Sequence, residues 1–185
     1  MPGDSFLIGL FLAILILSAI VDYTTQRIPN IVTYPAMLLA IGYHALASEG
    51  AGIYFSLSGL SIGIMVLILP YLLGGMGAGD AKLMGAVGAL MGPKNVFIAF
   101  IYTAIIGGLY ALLLVSMNWP LFRGILKRRW TTLKNNVLTG YYQAKPADAD
   151  ADDASAPRLC YGIAIALGTM IHIFLEMNGY RLIEF

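Results

Sequence analysis

The chain has 185 residues, 59% of them hydrophobic and 11% charged, with a formal net charge of +1. Soluble domains carry about 25% charged residues, so the composition excludes a water-soluble globule and predicts an integral membrane protein, a single domain over 1–185. The near-zero charge makes no case for nucleic acid as a partner. A lone cysteine, Cys160, rules out an internal disulfide and a paired-cysteine zinc site.

Six apolar segments follow one another at 5–21, 31–48, 53–73, 81–93, 95–117 and 158–177. Long runs without strand-like alternation predict an all-α bundle rather than a barrel. The opening stretch, MPGDSFLIGL, lacks the basic region of a secretory signal, so the first segment is expected to stay in the mature protein. A helical crossing needs about 20 residues; the fourth segment, AKLMGAVGALMGP, is short. With the N-terminus outside, Arg27, Lys82, Arg123, Lys127, Arg128, Arg129, Lys134, Lys145 and Arg158 fall inside, and Lys94 and Arg181 outside, a nine-to-two bias of the kind that orients membrane proteins. Omitting the fourth segment would move the Lys127–Arg129 cluster outside. That segment is therefore expected to cross, deep in the bundle where neighbours shorten its path, making about six spans.

The inner loop 118–157 has two parts. Residues 120–142 place Phe122, Leu126, Trp130, Leu133 and Val137 at near-helical spacing among basic residues. This predicts an interfacial amphipathic helix drawn to anionic lipid, an anchor or a substrate-docking surface. Residues 144–157, AKPADADADDASAP, predict a solvated flexible linker.

Two aspartates mark the chemistry. Asp22 closes the first run in SAIVDYTTQRIPN, and Asp80 ends the glycines of GGMGAGDAKLMG. In the expected topology both lie at the inner face. An ionisable residue at the edge of hydrocarbon is costly and marks function by default. Asp22 follows a helix C-terminus, where the macrodipole disfavours an acid; the plain alternative is a boundary charge meeting water. Asp80 has its own alternative as a helix N-cap. Gly74, Gly75, Gly77 and Gly79 precede it, and glycines allow close approach of another backbone, as an extended peptide substrate requires. Lys82 is placed to tune the acid or to meet lipid phosphate. Two carboxyls sharing a proton can activate water.

These residues carry a resemblance. Asp22 with Ile28-Pro29-Asn30, Gly77-Ala78-Gly79-Asp80 with Lys82, and the stretch Pro157 to Ala164 resemble, in order, elements of the type IV prepilin peptidases, membrane aspartic proteases of the GxGD class. The resemblance implies that Asp22 and Asp80 are the catalytic pair and that Gly77, Gly79, Lys82, Pro29 and Asn30 contact substrate. The implied substrate is a prepilin-like membrane protein with a basic leader, cut at the cytoplasmic membrane edge before its hydrophobic helix. A multi-pass location in the inner (cytoplasmic) membrane follows, with the bilayer as the other partner. Larger members carry paired CxxC motifs and N-methylate the product. Without those cysteines this chain is similar to the small peptidase-only forms of tight-adherence pili or archaeal preflagellin processing. No cofactor or metal is expected.

Other polar residues have plainer readings. His44 near the outer end of the second segment, and His172 and Glu176 on the last, are expected as interfacial groups meeting water, a metal site being the alternative. Gly85, Gly88 and Gly107-Gly108 suit close helix packing, and Tyr23, Trp119 and Tyr180 suit aromatic belts. Two further functions stay open: an ion- or proton-coupled transporter using Asp22 and Asp80, and a non-catalytic pilus or secretion assembly subunit. The topology is testable with reporter fusions: a fusion after residue 50 is expected to report outside, and one after residue 130 inside.

Overall fold

The structure, a computed structural model, describes residues 5–26, 28–72, 76–119, 123–124, 130–131, 134 and 160–180. The main helices are α1 (Ser5–Thr25), α2 (Asn30–Leu72), α3 (Ala78–Met117) and α4 (Tyr161–Met177), and no strand occurs among the described residues. Four stretches are long and apolar enough to cross a membrane: Ile8–Thr25, Asn30–Ser48, Gly50–Leu72 and Ala78–Met117; α4 is apolar but shorter. Exposed Ile31, Leu38, Leu46 and Leu69 give the apolar outer surface that lipid requires.

Helix α1 is an unbroken apolar run whose end is set by polar side chains. The hydroxyls of Thr24 and Thr25 donate to carbonyls of Ile20 and Val21. Gln26 then takes a left-handed φ of 52° while its N–H donates to the Asp22 carbonyl at 2.8 Å, a helix stop that an ordinary residue adopts only at some cost. Pro29 follows, and its carbonyl accepts from Val32 N–H to open α2.

Two expected pairs of segments appear as single helical runs. At about 1.5 Å per residue, the 43 residues of α2 and 40 of α3 would each be twice the roughly 30 Å of bilayer hydrocarbon. Their contacts show that both turn back. Asn30 meets Lys82 and His44 meets Leu90, so the first half of α2 runs along with α3. Ser56 meets Ala89, Gly59 meets Gly88 and Gly63 meets Met84, so the second half runs against it. The reversal lies between His44 and Ser56, where Gly52 closes on the His44 carbonyl. In α3 the break is at Gly92 (φ 80°), followed by Pro93. Beyond it Thr103 packs on Gly168 and Gly107 on Tyr161, which returns the chain to the level of its start.

The break at Gly92 leaves carbonyls that the helix cannot pair. Pro93 has no N–H for the carbonyl of Ala89. The Ser56 hydroxyl donates to that carbonyl at 2.7 Å, and His44 Nε2 lies 2.9 Å from the Leu90 carbonyl. His44, half-buried, is therefore a partner for a buried carbonyl, a role the sequence does not suggest.

The short segment after Asp80 is central: of residues 80–92 all but Lys82 are buried. With no water to drive helices together in lipid, small residues and close contact hold them. A Cβ on Gly88 would fall on the Gly59 carbonyl, and one on Gly63 on that of Met84.

The chain divides into two compact units, Met1–Gly108 with Cys160–Phe185, and Leu109–Leu159. In the second, residues 109–117 are helical. The expected amphipathic helix 120–142 lies mostly, and the linker 144–157 wholly, outside the described residues.

Gly88→Ala is expected to cost about 1–3 kcal/mol through overpacking, whereas Gly42→Ala, with open space around its Cβ position, is expected to be neutral or stabilising by up to about 1 kcal/mol. Thermal unfolding in detergent separates the two.

Candidate active site

Both aspartates are buried at one end of the first unit, Asp22 at 5% and Asp80 at 7% exposure. Asp22 lies within the last turn of α1, not beyond the helix as the sequence suggests. Its carboxyl is turned toward α4, where the Gly162 N–H donates to Asp22 Oδ2 at 2.9 Å. Helix α4 begins after Cys160, which makes no side-chain cap. Asp22 therefore supplies, from another helix, the acceptor that an N-cap residue would normally provide. The N-terminal end of α4 also offsets the unfavourable dipole of Asp22's own helix.

Asp80 does the same for its own helix. The Gly77 N–H donates to Asp80 Oδ2 at 2.9 Å, and the Asp80 N–H donates to the Gly77 carbonyl at 3.2 Å. This is the N3 half of a capping box; with glycine at the N-cap, a backbone carbonyl takes the place of the capping side chain.

Ile28 joins the two sites. A Cβ on Gly79 would stand 3.0 Å from Ile28 Cβ, and one on Gly162 would stand 3.0 Å from Ile28 Cδ1 and 2.9 Å from Asp22 Oδ2. Glycine at both positions lets the three segments close on Ile28. Asp22 lies within electrostatic reach of Asp80, and Cys160 within reach of both. In each carboxyl the printed bond uses Oδ2, and Oδ1 has no protein donor among the described residues. Two carboxyls within electrostatic reach of each other are the kind of pair that general acid–base hydrolysis uses.

Of the other expected residues, Gly77 is exposed and Gly79 half-buried against Ile28. Lys82 is turned to α2, donating to Asn30 Oδ1 at 2.8 Å and lying 4.9 Å above the Tyr34 ring. It makes no ion pair with Asp80 among the described residues. Pro29 is half-buried beside Asn30 at the start of α2. Arg27, Gly74, Gly75, Pro157, Arg158 and Leu159 lie outside the described residues.

His172 is buried, not interfacial. It stacks on Tyr102, with ring centroids 6.2 Å apart, and stands 3.7 Å from Glu176. Among the described residues no three of His, Cys, Asp and Glu are grouped to hold a metal.

The donor amide of Gly162 was not foreseen, because a backbone N–H leaves no trace in residue type. The available signal was the start of the last helix, where no Ser, Thr, Asp or Asn stands ready to cap it. The Tyr34 platform under Lys82 was missed as well.

Residues 9–112 match the model of the type IV leader peptidase family. Over 103 residues the chain is 31% identical to a prepilin leader peptidase/N-methyltransferase of Bacillus subtilis (strain 168). That match covers 54% of this chain and 41% of the relative, so the chain spans under half the length of the protein it matches. No solved structure matches the chain. The family match takes in Asp22, Ile28-Pro29-Asn30, Asp80 and Lys82, and ends before Gly162.

Asp22→Ala is expected to leave the Gly162 N–H unpaired and to cost about 1–3 kcal/mol. Asp22→Asn keeps an oxygen acceptor and is expected to lose less. Melting temperatures in detergent measure the difference.

Proposed function

The chain belongs to the type IV leader peptidase family, and on that premise we propose that it is an intramembrane aspartic endopeptidase acting on type IV prepilin-like precursors. It removes the basic leader at the cytoplasmic face of the inner membrane and does not N-methylate the product. The observation that carries this reading is the pair of buried carboxyls from α1 and α3, each anchored through one oxygen by a helix-terminal amide. Family membership favours neither the transporter nor the assembly-subunit alternative.

The chemistry follows from that geometry. Two neighbouring carboxyls in a dry site share one proton, because both cannot ionise cheaply. The ionised one takes a proton from water, which attacks the scissile carbonyl. The protonated one donates a hydrogen bond to the carbonyl oxygen as negative charge grows there. The pair titrates as a unit. Anchored Oδ2 atoms hold the reactive oxygens in place, so little reorganisation accompanies the reaction.

Substrate contacts belong to the surrounding loops in this reading. Exposed Gly77 and half-buried Gly79 give an extended peptide a side-chain-free approach to Asp80. Pro29, Asn30 and Lys82 form the adjoining edge, joined by the Lys82–Asn30 hydrogen bond. The two chain reversals and the positive-inside charge bias support about six crossings with the N-terminus outside, in one peptidase domain over 1–185 with 118–157 as a cytoplasmic loop. The single cysteine within these residues supports peptidase activity without methylation.

Purified protein is expected to shorten a prepilin-like precursor on a gel. Asp22→Asn and Asp80→Asn are each expected to slow cleavage by at least about 10³-fold while remaining folded in the membrane. Normal cleavage by either variant would end the paired-carboxyl reading.

A further inference from the structure

Ile28 lies in the short connection between α1 and α2, yet it is only 7% exposed. Connections usually run over the surface, so an apolar side chain buried in one has a task in the packing. Its β-carbon end faces α3. A Cβ on Gly79, the residue before Asp80, would stand 3.0 Å from both Ile28 Cβ and the Ile28 carbonyl oxygen. Its far end faces α4. A Cβ on Gly162 would stand 3.0 Å from Ile28 Cδ1, and 2.9 Å and 3.1 Å from Asp22 Oδ2 and Cβ. One side chain thus reaches from the turn that carries Asp80 to the amide that holds Asp22.

The spacer is stiff, and its base is tied at both ends. Branching at the β-carbon restricts χ1, which fixes how far the δ-carbon reaches. Upstream, the Gln26 N–H donates to the Asp22 carbonyl at 2.8 Å. Downstream, Pro29 has a locked φ, and Lys82 donates to Asn30 Oδ1 at 2.8 Å while lying over the Tyr34 ring. Lys82 stands two residues after Asp80, so this bond returns the connection to the helix of the second acid. In lipid, contact sets how closely two helices approach, and a close-packed interior passes on a change of one methyl group.

We propose that Ile28 is a positioning residue of the carboxyl pair, its δ-carbon stopping α4 at the distance from α3 at which Asp22 and Asp80 act together. This inference rests on the peptidase reading above. Ile28 carries no reacting group. It works through the Gly162 amide, whose place decides where the Asp22 carboxyl is held.

The test compares two substitutions in the full chain, with a synthetic precursor that has a basic leader and an apolar helix of about 20 residues. Ile28→Val removes the δ-carbon and keeps the β-branch. It is expected to lower kcat about ten-fold and to leave KM within about two-fold. Ile28→Leu restores a δ-carbon and is expected to recover most of that loss. An unchanged kcat in Ile28→Val, a rise in KM as large as the fall in kcat, or an equal loss in both variants would each overturn the proposal.

A second measurement needs no cleavage. In protein isotopically labelled at glycine and held in detergent, deuterium exchange of the Gly162 amide reads its bond to Asp22. Ile28→Val is expected to speed that exchange about ten-fold and to leave the Gly168 amide, further along α4, unchanged. Equal acceleration at both glycines would mean general loosening and overturn the positioning role, as would an unchanged rate at Gly162. If the unaltered chain cuts no precursor, the peptidase reading fails, and the exchange rates alone decide whether Ile28 holds the Asp22 anchor.

Discussion

A carboxyl group buried among apolar helices must find donors or remain costly, and both aspartates find them at the N-terminal ends of helices. Asp80 reaches back to Gly77 at the start of its own helix, while Asp22 crosses to Gly162 of α4. Each bond also satisfies a helix-terminal amide that otherwise lacks a partner. One interaction thus stabilises the helix start and orients the acid. The position of α4 is consequently part of the site even though α4 contributes no acid to it.

The arrangement depends on how α3 is folded. The start of α4 lies against Gly107, and Gly168 lies against Thr103, both beyond the break at Gly92. A straight α3 would carry those contacts far from Asp80. Ending the first half at Gly92 leaves buried carbonyls at Ala89 and Leu90, and Ser56 and His44 answer them. Polar side chains far from the acids therefore support the fold that positions both acids. The glycine contacts of Gly59 with Gly88 and Gly63 with Met84 complete it, since close backbone approach replaces the hydrophobic drive that lipid removes.

The Oδ2 atoms face inward to amides, while Oδ1 has no protein donor among the described residues. Gly79 and Gly162 bring backbones close around Ile28, leaving the acids little room to shift.

Much of this was legible in the residue order. Scarce charge made Asp22 and Asp80 conspicuous, and long apolar runs without alternation specified helices. The interruption of apolar sequence at 93–95 lies beside the break at Gly92, and that at 48–53 lies within the reversal of α2, because glycine, proline and polar residues interrupt the apolar runs there. Tertiary structure alone decided which groups pair across helices. Nothing in the letters tells that the Gly162 amide holds Asp22, that Lys82 turns to Asn30 and Tyr34, or that His44 and Ser56 serve a broken helix. Such pairings depend on backbone donors and on neighbours brought from far along the chain. A local pattern records which groups are costly to bury, and only the packed helices settle what meets them.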